Sequence, residues 1–121
     1  MATTYKKGDK DVRPWGSWEV LESSPEFCVK KITVAPESML SLQLHNHRDE
    51  HWIFVEGEAI VTLGDNVFTK KANESVYVPC EVKHRVYNNT KKETIFIEIQ
   101  TGKHLDEDDI VRFDDKYGRI N

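Results

Sequence analysis

From Arg13 to Gln100 the chain never runs far without a turn-forming break: Pro36, Gly57, Gly64-Asp65-Asn66 and Pro79 divide it into short stretches. Most of those stretches alternate with period two, which places successive side chains on opposite faces of a β strand. Strands this short, with no helical stretches between them, predict a sandwich or barrel rather than βαβ units. Phe27 to Val34 alternates cleanly. In Leu40 to His47, Gln43, His45 and His47 share one face and Leu42 and Leu44 the other. Glu50 to Glu56 is apolar on both faces, through Trp52 and Phe54 on one and Ile53 and Val55 on the other. Such a strand is expected to be covered on both sides, by a second sheet or by a partner chain. Ala59 to Leu63, Val67 to Thr69, Ser75 to Val78, His84 to Tyr87 and Thr94 to Gln100 complete the set, the last with Ile95, Ile97 and Ile99 on one face. One short helix is predicted over Glu107 to Phe113, with Asp106 as its cap. Met1 to Asp11, polar and carrying Lys6, Lys7 and Lys10, reads as a flexible tail ahead of a single domain over 12–121.

The length of 121 residues suits one domain with one modest core. A net charge of −4 counts against nucleic acid, whose phosphates select basic faces, but leaves room for a small phosphorylated ligand held by a local basic cluster. The two cysteines, Cys28 and Cys80, fit neither a CxxC pattern nor a disulfide framework and are expected as reduced, packed thiols. No apolar run has the length of a secretory or membrane-spanning segment. A cytoplasmic protein with no membrane partner is the expectation.

The residues with chemistry are Gln43, His45 and Glu50, joined later in the chain by His84. Two imidazoles, a carboxylate and an amide make a donor set for one divalent metal, with coordination positions left open for substrate. Imidazole donors favour Zn²⁺, with Mn²⁺, Co²⁺, Ni²⁺ or Fe²⁺ as alternatives, over Ca²⁺ or Mg²⁺. A second triad, His45, His47 and His51, competes with it; parity admits the first two, whereas His51 alternates away from Glu50. A wet, metal-free barrel is the remaining alternative for these residues.

The spacing resembles that of the cupins, whose two sequence blocks bring ligands from separate strands into one barrel. The first block, PG-x5-H-x-H-x4-E-x6-G, reads here Pro36-Glu37-x5-Gln43-x-His45-x4-Glu50-x6-Gly57. The second, G-x5-P-x-G-x2-H-x3-N, reads Asn73-x5-Pro79-x-Glu81-x2-His84-x3-Asn88. Every interval is kept, while Gln43 replaces a histidine and Glu37, Asn73 and Glu81 replace glycines. The segments RPWGSWEVL, SLQLHNHRDEHW and DEDDIVRFDDKYGR are similar to those of the type II phosphomannose isomerase module, which in many bacteria is the C-terminal half of a bifunctional enzyme with mannose-1-phosphate guanylyltransferase. The resemblance spans about Val12 to Arg119. It implies an all-β double-stranded β-helix, a jelly-roll-like barrel, here with the short C-terminal helix, and a homodimer.

The resemblance further implies interconversion of mannose 6-phosphate and fructose 6-phosphate through an enediol. That reaction needs a Lewis acid for the developing oxyanion, a base for the proton and a positive site for the phosphate. In the resembled family, Arg48 and His51 occupy positions associated with isomerase activity; Arg48 suits a phosphate or an oxyanion, and His51 a proton shuttle. Arg112 and Arg119 are candidate phosphate clamps, with Arg13 and Lys30 behind them. Trp15 and Trp18 suit stacking on a sugar ring or packing at a strand edge. The Gly-rich nucleotide loop of the other half does not occur, so guanylyl transfer is not expected of this chain alone. A cupin that binds a sugar phosphate without turning it over, as sensor or partner subunit, and another sugar-modifying cupin enzyme are the competing expectations.

Overall fold

The computed structural model describes residues 5–115. The described residues form twelve strands and no helix: β1 (Lys10–Arg13), β2 (Gly16–Ser23), β3 (Phe27–Val34), β4 (Ser38–Met39), β5 (Leu42–Leu44), β6 (Asp49–Glu56), β7 (Glu58–Leu63), β8 (Asn66–Lys71), β9 (Ser75–Val78), β10 (His84–Asn88), β11 (Thr94–Thr101) and β12 (Val111–Asp114). They make two sheets, ordered β1-β2-β3-β11-β6-β9 and β12-β5-β10-β7-β8, with β4 also paired to β10. The inner faces of the two sheets enclose the core.

Alternation decides what enters that core. On β3, Cys28, Lys30, Ile32 and Val34 point inward; on β11, Thr94, Phe96, Glu98 and Gln100 do; on β6, Glu50, Trp52 and Phe54 do. The isoleucines of β11 are therefore on the outer face. The outer face of β6 is open as well, with Ile53 42% and Val55 44% exposed, so the expected cover on both sides of this strand is not supplied by the described residues. Both cysteines are free thiols. Asn88 is fully buried, and its amide donates to the carbonyls of Val34, Ala35 and Lys92, tying β10 to the ends of its neighbours.

The expected helix over Glu107 to Phe113 is a turn followed by β12. The Asp106 carboxylate does accept from the Asp108 N–H, but it caps a turn, and the Asp109 carboxylate accepts from the N–H groups of Asn46 and His47. Val111 and Arg112 instead pair with Leu44 and Gln43, satisfying the free edge of β5. At the other end, Tyr5 is buried in the core and β1 already begins at Lys10, so ordered structure starts ahead of Val12. The single strand expected over Leu40 to His47 is broken: β5 stops at Leu44 and the chain bends through 45–48.

Glu37, Asn73 and Glu81 stand where the cupin blocks have glycine, and all three hold positive φ, of 54°, 73° and 67°. The left-handed turns have been kept although the residue that adopts them most easily has not. Among the described residues no helix is long and apolar enough to cross a membrane.

Candidate metal centre

The bend after β5 and the inward parity of β6 and β10 bring His45, Glu50 and His84 to one place. Their ligating atoms all lie within 4.8 Å of one another, and all three residues are buried. Gln43 is buried beside them and faces His84 directly across the β5–β10 pairing. His45 Nδ1 lies 2.6 Å from the Asp109 carbonyl and His84 Nδ1 3.0 Å from that of Val82. A carbonyl only accepts, so each Nδ1 carries the proton and each Nε2 presents its lone pair to the shared space. Carbonyl-anchored imidazoles of this kind are the usual support of metal-ligating histidines.

The electrostatics agree with that preparation. Burial lowers both histidines against the pull of Glu50, His45 to about 4, so neither imidazole holds a second proton at neutral pH. Burial alone would raise Glu50, but the attraction of its charge to the His45 imidazole and the Arg48 guanidinium outweighs it and holds the carboxyl well below the usual range, ionised. Glu50 Oε1 accepts from Trp52 Nε1 at 2.9 Å and Oε2 from Arg48 Nε at 2.8 Å. Two neutral imidazoles, one anionic carboxylate and an amide, converging and pre-oriented, fit a divalent metal with open positions.

Arg48 belongs to the same assembly. Its guanidinium is buried, bridges to Glu50 and to the Asp106 carbonyl, and sets Nη2 3.3 Å from His45 Nε2. An open cavity holds all of these groups, and Trp15, Trp18, Arg13 and Arg112 also line it. Arg112 pairs opposite Gln43, and Trp15 is buried in the wall. Arg13 bonds Glu107 across the cavity rim.

One expected placement is corrected, and one alternative is not realised. His51 lies on the outer face of β6, exposed and stacked on Tyr77 at 4.7 Å, because the strand parity that turns Glu50 inward turns its neighbour outward. It does not line the cavity. The competing triad is not assembled either: His47 leaves with the bend and packs against His104 at 5.1 Å. Arg119 lies outside the described residues.

The sequence reading missed Glu98 and Tyr5 as cavity residues. A signal for Glu98 was present: it is a lone acid sharing parity with Phe96 in a strand whose opposite face is all isoleucine. Taking the isoleucines as the buried face hides it.

The family described as "Mannose-6-phosphate isomerase C-terminal" matches residues 2–115. This chain belongs to that family. It is 51% identical over 110 residues to the xanthan biosynthesis protein XanB of Xanthomonas campestris pv. campestris (strain B100), covering 91% of this chain and 24% of that protein. To the mannose-1-phosphate guanylyltransferase ManC of Salmonella typhimurium it is 44% identical over 108 residues, covering 89% of this chain and 22% of ManC. The mannose-6-phosphate isomerase C-terminal domain described here thus spans about a quarter of the length of these relatives.

Solved structures of the same fold include an oxalate decarboxylase from Lactobacillus farciminis in complex with formate. Its TM-score is 0.75 at 17% identity, over 87% of this chain and 33% of that one. A double-stranded β-helix protein from Klebsiella pneumoniae gives a TM-score of 0.65 at 20% identity, over 70% of each chain. The fold is the cupin double-stranded β-helix.

Proposed function

We propose that this domain is a metal-dependent aldose–ketose isomerase that interconverts mannose 6-phosphate and fructose 6-phosphate through an enediol. The observation that carries this is the convergence of His45, Glu50 and His84 beside a buried arginine, in an open cavity, in a member of the mannose-6-phosphate isomerase C-terminal family.

Gln43, His45, Glu50 and His84 would hold the ion, most simply Zn²⁺. When bound, it supplies Lewis-acid polarisation of a sugar oxygen. Arg48, fixed by Glu50 and the Asp106 carbonyl, aims its charge at the oxyanion that develops beside the donors. Arg112 on β12, with Arg13 close by on the rim, receives the phosphate. Trp15 forms a flat wall for the sugar ring. The exposed Ile53 and Val55 of β6, with Tyr77 of β9 beside them, form the face through which a homodimer would pack.

One observation favours a second reading, a sugar-phosphate-binding domain without turnover. Arg48 already donates to the carboxylate and lies on the imidazole lone pair, so it can neutralise the donors in place of an ion. A coupled assay for fructose 6-phosphate, with Zn²⁺, Co²⁺ or Mn²⁺ added and a chelator control, separates the two. Chelator-sensitive turnover that disappears in Glu50→Ala is the expected result. Absence of turnover with every metal, together with retained mannose 6-phosphate binding, would sink the isomerase and leave the binding domain.

A further inference from the structure

An isomerase of this type must move one proton between two carbons and another between two oxygens, and the groups named so far leave that work unassigned. Glu50 is committed, with both oxygens bonded and its charge held by Arg48. His45 and His84 turn their lone pairs to the donor cluster, and His51 faces away from the cavity. Glu107 is at the rim, bonded to Arg13.

Two charged residues of the cavity remain. Lys30 of β3 and Glu98 of β11 are direct partners across the strand pair, and both point inward. They are only 5% and 8% exposed, yet both line the cavity that holds His45, Arg48 and Glu50. Burying two such charges is costly and is rarely done for stability alone. A pair kept for stability would close into contact. Here, among the described residues, no carboxylate oxygen approaches Lys30 Nζ within ion-pair distance; the ammonium instead lies 4.0 Å from the Tyr5 ring centre and 4.3 Å from that of Trp18. Glu98 Oε2 accepts from Gln100 Nε2 at 2.7 Å, which orients the carboxyl.

We propose that Glu98 carries the proton between C2 and C1 of the bound sugar and that Lys30 carries the hydroxyl proton between O2 and O1. This rests on the isomerase function. The Glu98 carboxylate takes the C2 proton, and the C2–H electron pair becomes the C1=C2 bond of an enediolate whose charge collects on O1. The Lys30 ammonium protonates O1, and the resulting amine takes the proton from O2. As the C2=O2 bond forms, C1 takes back the proton held by Glu98, and both groups return to their starting states. Burial and the charge of Glu50 push Glu98 up to about 7 against Lys30 and Arg48, while burial lowers Lys30 against the pull of Glu98. Both shifts bring the groups toward the range in which proton exchange at neutral pH is efficient.

The decisive variants are Glu98→Gln and Lys30→Met, examined in metal-loaded protein. Glu98→Gln is expected to lower kcat by about 10²–10⁴-fold and to abolish exchange of the C2 proton with solvent deuterium, with metal content and KM near wild type. Lys30→Met removes a positive charge facing Glu98, so the acid limb of the pH–rate profile should move to higher pH. The other groups facing Glu98, namely Glu50 on β6, Arg48 before it, Gln100 on β11, Cys28 on β3 and Tyr5 ahead of β1, are unchanged in that variant. Infrared difference spectra supply a readout apart from turnover: a protonated carboxyl band titrating near neutral pH should vanish in Glu98→Gln. Wild-type turnover with full activity and C2 exchange in Glu98→Gln would overturn this assignment while leaving the isomerase intact. An inactive wild type would overturn the isomerase itself, and this assignment with it. If Glu98→Gln does not fold, an unmoved acid limb in Lys30→Met overturns the proposal.

Discussion

The two ends of the barrel are built from the same strands and obey opposite rules. Along β6 the inward residues run Phe54, Trp52, Glu50; along β11, Phe96, Glu98, Gln100; along β3, Val34, Ile32, Lys30; along β10, Val86, His84. One end is thus closed by apolar side chains, with Val34, Phe54, Phe96, Val61 and Val86 at most 1% exposed. The other end buries Lys30, Gln43, His45, Arg48, Glu50, His84 and Glu98. Apolar burial stabilises in proportion to area, whereas buried ionic groups at best break even against their desolvation. The first end therefore holds the fold and the second is tolerated for what it does.

Cutting into the apolar end should give the largest effect on stability. Phe54 is fully buried and lies outside the cavity lining. Phe54→Ala is expected to cost roughly 3–5 kcal/mol. Metal content and turnover per folded molecule should stay within about twofold, since the polar end is untouched. Urea unfolding combined with the coupled assay checks this; a variant that keeps its stability, or that loses its metal, would break the division between the ends.

At the polar end, a single change and a paired change should differ. Glu50→Gln strands the Arg48 guanidinium without its carboxylate and is expected to cost about 3 kcal/mol or more. Replacing both, Glu50→Gln with Arg48→Met, should recover most of that stability and none of the turnover. Denaturant midpoints for the three proteins, measured without metal, make the comparison.

Acid sensitivity belongs to the same end and carries two opposing signs. His45 is lowered to about 4 in the fold against an ordinary 6.5. The unfolded chain therefore binds its proton first, and stability is lost as the pH falls from about 6.5 to 4, by on the order of 3 kcal/mol. His84 is shifted in the same direction. Glu98 is raised to about 7 from 4.5, so its contribution is present below pH 4.5 and lost as the pH rises through 7. In the window they share, the terms partly cancel. For metal-free protein, Glu98→Gln should steepen the loss of stability between pH 6.5 and 4.5, and His45→Gln should lessen it. Parallel stability profiles for the two variants would show that these groups do not set the pH dependence.

How far this division was legible in the sequence depends on the residue. Spacing located His45, Glu50 and His84, because ligand intervals are preserved by the turns that join the strands. Parity already warned against His51. The helix over Glu107 to Phe113 failed because acids with a capping residue look alike whether they start a helix or cap turns; the unpaired edge of β5, which decides the matter, is a tertiary fact. Glu98 was hidden for a related reason. The isoleucines beside it mark an apolar face, and alternation alone does not reveal which face of a strand looks into the barrel.

The turns carry the same comparison down to its smallest effects. Gly57 joins β6 to β7 at the apolar end, with φ 73°, and a Cβ there would meet the Glu93 carbonyl oxygen at 2.6 Å. Gly57→Ala should therefore cost about 1–3 kcal/mol, from the left-handed backbone and the displaced neighbour together. At the polar end the corresponding left-handed turn is held by Glu81, whose N–H donates to the His45 carbonyl at 2.8 Å. There Glu81→Gly relieves backbone strain, and the gain is reduced by the greater freedom of glycine in the unfolded chain, leaving about 0.5 kcal/mol of stabilisation. Thermal unfolding of the two variants should move in opposite directions. A destabilised Glu81→Gly would mean that its side chain, rather than its backbone, supports the bend at His45, and the strain at this turn would then belong to the site rather than to the fold.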